Sequence, residues 1–290
     1  MIPEKILNQI EKNKKNIKKA LIGTVGILIT AYSGYKINRN IKSRKLNVEL
    51  LITNHDISDE GNELSRIAKK LGVTKSRFNK IKDKTIDNSS PAIYRDNNKC
   101  ILCGRCIQKC QDVQTVNAIG YEHRGHNTEI MPYYNHGLGE VACVQCGQCT
   151  NVCPTGALRE QDYIKEVSKA IEDSEKIVIV QSAPSVRATL GETQSMPPGS
   201  LVTGKMVAAL RRLGFDKVLD TNFGADLTIV EESNELISRI QNKGVLPMIT
   251  SCCPGWIKFI EHFYPDLLPH LSTCKSPQQM FGALLKTYYA

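Results

Sequence analysis

The sequence predicts three consecutive parts: a mostly helical leader, a small α+β module crowded with cysteines, and an α/β segment built on a parallel sheet. Three observations predict them. Eight of the eleven cysteines fall between Cys100 and Cys153, and none precedes residue 100. Beyond residue 176, short β-branched runs alternate with stretches of helical period, the pattern of strand–helix–strand units. The positive charge sits at the front, where residues 1–50 hold eleven Lys and Arg against three acids, or +8 of the chain's +9.

Length and composition narrow the class. Two hundred and ninety residues suit about two domains, at roughly 100–200 residues each. With 41% hydrophobic and 23% charged residues, most of the chain can bury a core, which excludes wholesale disorder. The cysteine count is odd and no cleavable signal peptide is recognisable, so a secreted disulfide scaffold is not expected. Thiolates serving as metal ligands in a reducing cytoplasm fit better. Past residue 50 the charges nearly balance, so no nucleic-acid groove across the folded parts is expected.

The leader is read as residues 1–88. Residues 20–35 form a run of sixteen uncharged residues with lysines before and after, including three Gly, two Thr and a Ser. A spanning helix wants about 20 apolar residues, with roughly 17 as the lower limit. The run therefore reads as a buried strand or helix. Attachment at the inner face of a membrane through 20–35 is the alternative, and the symmetric positive flanks give it no orientation. Asn62 before Glu63, Leu64, Ile67, Ala68 and Leu71 predicts a capped amphipathic helix. Residues 72–95 read as a polar connector, with Ser89-Ser90-Pro91 marking a turn.

The second part, residues 89–160, carries one spacing twice. Cys100-x2-Cys103-x2-Cys106-x3-Cys110 is followed by Cys143-x2-Cys146-x2-Cys149-x3-Cys153-Pro154. Three thiolates two residues apart wrap one face of an iron–sulfur cube, and in two-cluster ferredoxins the fourth cysteine of each run crosses to the other cube. On that rule Cys100, Cys103, Cys106 and Cys153 hold one 4Fe–4S cluster. Cys143, Cys146, Cys149 and Cys110 hold the other. Zinc is the competing metal, but zinc sites use two CxxC pairs or Cys with His, not this doubled run. Eight cysteines saturate two cubes, so His123, His126 and His136 read as surface residues. The module is a ferredoxin-like relay for single electrons.

The third part, residues 161–290, is read element by element. Residues 163–173 form a charged helical linker. Lys176–Gln181 is a strand ending in Ser182-Ala183-Pro184-Ser185, and 202–213 is a helix stopped by Gly214. Lys217–Asp220 is a second strand, 225–243 a helix stopped by Gly244, and Leu246–Thr250 a third strand. That strand runs into Ser251-Cys252-Cys253-Pro254-Gly255-Trp256 and then a helix over 257–264. Ligands in such folds sit at strand carboxyl ends, which is where Cys252 and Cys253 fall. Vicinal cysteines also occur simply as buried residues.

Over roughly residues 46–290 the chain resembles the iron-only (FeFe) hydrogenases. The matching pieces are CILCGRC at 100–106, CVQCGQC at 143–149, VCPTGAL at 152–158 and SAPSVRA at 182–188. They continue with the stretch at 202–229, TSCCPGW at 250–256 and STCKSPQQMFGALLKTYYA at 272–290. That family joins a 4Fe–4S cube by a cysteine to a two-iron site bearing CO and cyanide, which interconverts protons, electrons and dihydrogen. The resemblance implies that Cys253 is a ligand of the active-site cube and Cys252 the thiol that carries protons to the two-iron centre. It implies a proton path through Glu232, Glu235, Arg239 and Ser272, and a pocket for the two-iron group at Ala183, Pro184, Ser185 and Gln278. Glu232, Glu235 and Arg239 also fit an ordinary solvated helix face.

The departures from the family bear on function. The active-site cube takes four cysteines from three motifs, of which only Cys253 matches here, and the second motif is expected shortly after Ala290. The third is absent as well, so a complete active-site cluster is not expected in this chain alone. In front, His55 resembles a ligand whose partner cysteines are missing from 56–62, and 42–51 resembles the tail of a lost 2Fe–2S region. The leader thus resembles a degenerate accessory-cluster region. Three readings follow: an electron-transfer protein with two 4Fe–4S clusters, one chain of a split hydrogenase, or a non-functional remnant of a gene. A ferredoxin, an NAD-linked flavoprotein subunit or a complementing hydrogenase chain is the implied partner.

Overall fold

The computed structural model describes residues 12–13, 32–55, 62–79 and 83–289. They divide into two compact units: residues 1–85, 96–103 and 154–157 in the first, and 86–95, 104–153 and 158–290 in the second. Most of the run at 20–35 lies outside the described residues. Among the described residues no helix is long and apolar enough to cross a membrane.

The described part of the first unit is built on two helices. Helix α1 (residues 32–51) continues into a 3-10 turn, Ile52–Asn54. It buries Val48 and Ile52 against Leu64 and Ala68 of α2 (Glu63–Leu71) and against Val73. The expected cap is present, since the Asn62 side chain accepts the Ser65 amide at 2.8 Å. Gly72 ends the helix with φ 67°, the left-handed turn that glycine adopts without strain. Arg77 donates to both carboxylate oxygens of Glu49, at 2.7 and 3.0 Å. These hydrogen bonds hold the Glu49 carboxyl below its ordinary range and raise Arg77. His55 is buried beside the Asn62 amide at 3.2 Å.

The second unit opens with a three-stranded sheet in the order β1 (Ile86–Asp87), β2 (Ile93–Asp96), β5 (Leu158–Glu160). β2 and β5 run antiparallel, with Ile93 opposite Glu160. These strands correct the reading of 72–95 as a connector. The inward positions of β2 are Ile93 and Arg95, and a buried arginine hides the alternation that betrays a strand. β3 (Gly120–Glu122) and β4 (Glu129–Met131) form a hairpin between the two cysteine runs. His123, His126 and His136 are exposed, as expected.

Beyond α5 (Ile164–Glu172), β6 (Ile179–Ser182) pairs in parallel with β7 (Lys217–Asp220). Helices α6 (Pro184–Thr193) and α7 (Thr203–Arg212) lie between them in sequence, and α8 (Asn222–Gln241) follows. The third strand expected at 246–250 does not form. Pro247 has no amide to donate, and only Ile249 bridges to Leu271, through Ile249 N to His270 O and Ser272 N to Ile249 O. Helix α9 (Pro254–Phe263) begins directly after Cys253. Helix α10 (Pro277–Leu284) crosses α8 at Gly224, where a Cβ would run into the Pro277 carbonyl and Phe281.

Candidate metal centre

The two cysteine runs fold alike. Leu102 and Gln145, each between a pair of cysteines, take φ of 55° and 56°. Gly104 and Gly147 follow at 72° and 71°. This left-handed pair turns the backbone so that the amides of Leu102 and Gln145 point at the sulfurs of Cys100 and Cys143, each at 3.4 Å. Two further amides do the same: Ala118 to Cys110 and Leu158 to Cys153, again at 3.4 Å. Amides aimed at sulfur stabilise negative charge on a thiolate.

In the second unit four thiols meet. Cys110 leaves the π turn Lys109–Val113, and Cys149 sits in α4 (Gln148–Asn151). Together with Cys143 and Cys146 they line one cavity, walled by Ile93, Val116, Ala118, Ile119, Leu138 and Val144. Most of the wall is apolar, with Ile93 and Leu138 1% and 2% exposed, while Gln114 and Gln148 complete the lining and Cys146 is exposed. Burial raises the Cys143 thiol, helped by the sulfurs of Cys110 and Cys146. Burial and the neighbouring sulfurs push Cys149 up to about 12. So many thiolates cannot share an apolar cavity without a cationic centre to compensate them.

These four residues therefore fit an iron–sulfur cube: soft donors, a mostly apolar wall and amides directed at sulfur. Among the described residues no three His, Cys, Asp or Glu side chains gather closely enough to hold a single metal ion. The other expected set divides between the units, with Cys100 and Cys103 in the first and Cys106 and Cys153 in the second.

The loop before α9 adjoins the same cavity wall. A Cβ on Gly255 would stand 3.5 Å from the Val144 carbonyl and 3.6 Å from the Cys146 Cα, so the loop backbone rests on the cysteine run. Gln114, Val144–Cys146 and Gln148 face Cys253–Trp256 and Phe259 across a second hollow. Phe259 also packs on the core of Val116, Ala118, Val141 and Val144. Cys252 and Cys253 themselves are exposed.

Three of the four expected proton-path residues come together. Arg239 donates to Glu235 at 2.6 and 3.1 Å, and the buried Ser272 hydroxyl donates to the other oxygen of that carboxylate at 2.8 Å. The Thr273 amide also donates to it. Burial alone would raise the Glu235 carboxyl, but the donors Ser272, Arg239 and Thr273 outweigh it and hold it below its ordinary range. Arg239 further binds the carbonyls of Leu271 and Pro269, which pins the 269–273 segment to α8. Glu232, one turn earlier, takes no part in this set.

The expected pocket residues lie at the carboxyl end of β6. Ala183 is the residue before α6, and Ala183, Pro184 and Ser185 are exposed. Gln278 reaches the same place because Gln181 donates to its carbonyl at 3.0 Å while accepting from Thr221 at 3.2 Å. Sequence reading missed this Gln181–Thr221 link, and it missed Ser251, whose buried hydroxyl donates to the Cys274 carbonyl at 2.7 Å. Gln181 directly precedes the SAPSVRA stretch and Ser251 lies inside TSCCPGW, so position in or beside a motif was the signal.

Residues 176–290 match the iron-only hydrogenase large subunit, C-terminal domain, and residues 90–159 match the ferredoxin-like domain of NADH-quinone oxidoreductase subunit 3. The chain is 46% identical over 266 residues to the NADP-reducing hydrogenase subunit HndD of Solidesulfovibrio fructosivorans, covering 87% of this chain and 45% of that protein. It is 42% identical over 272 residues to iron hydrogenase 1 of Clostridium pasteurianum, covering 91% and 47%. A solved apo FeFe-hydrogenase HydA1 variant from Chlamydomonas reinhardtii shares 45% identity over 45% of this chain and 34% of its own, with a TM-score of 0.43. The chain spans about half the length of these curated relatives. A doubled cysteine run of ferredoxin type leads into a SCCPGW loop, and both stretches match hydrogenase relatives in that order, so the chain is similar to the iron-only (FeFe) hydrogenases along the part they share.

Proposed function

We propose that the chain relays single electrons through two 4Fe–4S clusters, to or from a hydrogenase-type site beside Cys253. One observation carries this reading: Cys110, Cys143, Cys146 and Cys149 line a single, mostly apolar cavity whose Val144–Cys146 wall also supports the Cys253 loop. Each cluster, when bound, supplies a one-electron couple whose potential depends on charge, burial and hydrogen bonds to sulfur. The chain's own residues do the rest. Ile93 and Leu138 give the cavity apolar wall, and the amides of Ala118 and Gln145 favour the reduced, more negative state. Gly255 sets the Cys253 loop beside the relay backbone, where a Cβ would be in ordinary van der Waals contact with Val144 and Cys146.

The ligand sets we assign are Cys143, Cys146, Cys149 and Cys110 for this centre, and Cys100, Cys103, Cys106 and Cys153 for the other. The electron partner is a ferredoxin or a flavoprotein subunit. The relative named as a subunit of an NADP-reducing hydrogenase supports a multi-subunit setting. The test is anaerobic reconstitution of the 290-residue chain. About eight irons per chain and EPR signals from two reduced clusters are expected, four irons to each cube. Zinc in place of iron, or half that iron, would reject the assignment.

A second reading is that residues 176–290 contribute to a proton-reducing site completed by further polypeptide. The Glu235–Arg239–Ser272 set favours it, because a carboxylate and a hydroxyl in hydrogen-bond contact can hand on a proton. Dihydrogen evolution only when a polypeptide carrying the remaining family motifs is added would establish it. No evolution from such a mixture would count against it.

A further inference from the structure

Behind the wall of the four-thiol cavity lies a buried charge pair. Asp87 of β1 accepts four hydrogen bonds: the Ser89 amide at 3.0 Å, the Ser89 hydroxyl at 2.6 Å, the Leu138 amide at 2.9 Å and Arg95 Nη2 at 3.3 Å. Arg95 of β2 donates its other terminal nitrogen to the Ile130 carbonyl of β4 at 2.9 Å. The two side chains are 8% and 3% exposed. Ser89 in turn accepts the Gly139 amide at 2.9 Å. Gly137 and Gly139 lie so close to Ser89 that a Cβ on either would overlap it. The pair thus fastens the 137–139 loop, and with it Leu138, a wall residue of the cavity. Ile93, another wall residue, sits two places before Arg95 on the same strand.

Burying a charge pair is costly, and a pair in a small module is commonly neutral or worse for stability beside an apolar replacement. A hydrophobic pair could have joined these strands. The negative member accepts the amide of Leu138, a wall residue of the cavity. The field of Asp87 reaches the cavity through buried protein, where charges act strongly.

We propose that Asp87 and Arg95 are positioning residues for the four-thiol centre, fixing its outer wall and balancing the charge beside it. This rests on the reading of Cys110, Cys143, Cys146 and Cys149 as cluster ligands. As a balanced pair they leave the centre close to neutral surroundings. Removing one member leaves a single buried charge whose sign sets the direction of the change. A stray positive charge favours the added electron, and a stray negative charge opposes it.

The experiment is an EPR-monitored redox titration of the reconstituted chain and of three variants: Asp87→Asn, Arg95→Gln and Arg95→Lys. The parent must hold about eight irons, four per cube, which tests the cluster reading by itself. Asp87→Asn shifts one of the two potentials upward, Arg95→Gln shifts the same one downward, and Arg95→Lys restores it toward the parent. The other cluster is the internal control and stays where it was. Should a single variant lose half its iron while the remaining cluster keeps its parental potential and signal, the positioning claim stands. Shifts of the same sign in both variants would overturn it, because a merely structural disturbance has no reason to follow charge. So would unchanged potentials at full iron, or loss of both clusters together.

Discussion

At the residue scale, the cysteines were legible because their chemistry is local. Three thiols two residues apart need only a tight left-handed turn, and Gly104 and Gly147 supply it at 72° and 71°. Asp87 and Arg95 were not legible. Their partners Leu138 and Ile130 lie 51 and 35 residues further on, and each residue alone reads as surface. Cys146→Ser is expected to remove one cluster and leave the other, so that iron falls from about eight to about four per chain while one EPR signal survives. Retention of both signals would show that Cys146 is no ligand. Ser272→Ala removes a buried donor to an ionised carboxylate and is expected to destabilise the chain by about 1.5–3 kcal/mol at neutral pH. The sign with pH follows from linkage. Glu235 is held below its ordinary value, so its contribution is full above the unfolded pKa and fades as pH falls through the folded one. Denaturant curves of the parent and Ser272→Ala should therefore converge in acid; a constant gap across pH would contradict the assigned role.

At the element scale, capped and periodic helices were read closely. The stretch expected over 225–243 is a helix at Asn222–Gln241, and Lys217–Asp220 is a strand at the expected bounds. The strand expected at 246–250 does not form, because strand propensity says nothing of where each amide goes and Pro247 has none to give. The crossing of α8 and α10 left only a small mark in the sequence, Gly224, since close approach of two helices is a tertiary fact. Gly224→Ala is expected to force these helices apart and cost about 1–3 kcal/mol, although alanine is the better helix former. An unchanged denaturation midpoint would mean that the crossing relaxes freely. Asn62→Ala is expected to cost about 1 kcal/mol through loss of the α2 cap, read as a lower midpoint with an unchanged slope.

At the scale of the whole molecule, composition had already placed the metal chemistry in the middle and the basic charge in front. An apolar face without cover is expected over residues 176–290, and the last third presents one. Leu201 is 95% exposed and Ile177 77%, and Leu213, Phe223, Ile229 and Ile240 are each more than half exposed. Apolar surface left open to water drives association. Light scattering of the 290-residue chain is expected to report self-association that grows with concentration; a monodisperse monomer would contradict this. Electron relay through sulfur-held iron is most directly tested by iron analysis together with an EPR redox titration of the anaerobically reconstituted chain. About eight irons and two one-electron couples are expected, both abolished by removing the cysteines of the two runs. A chain that takes up zinc, or that shows a single couple at full iron content, would contradict it.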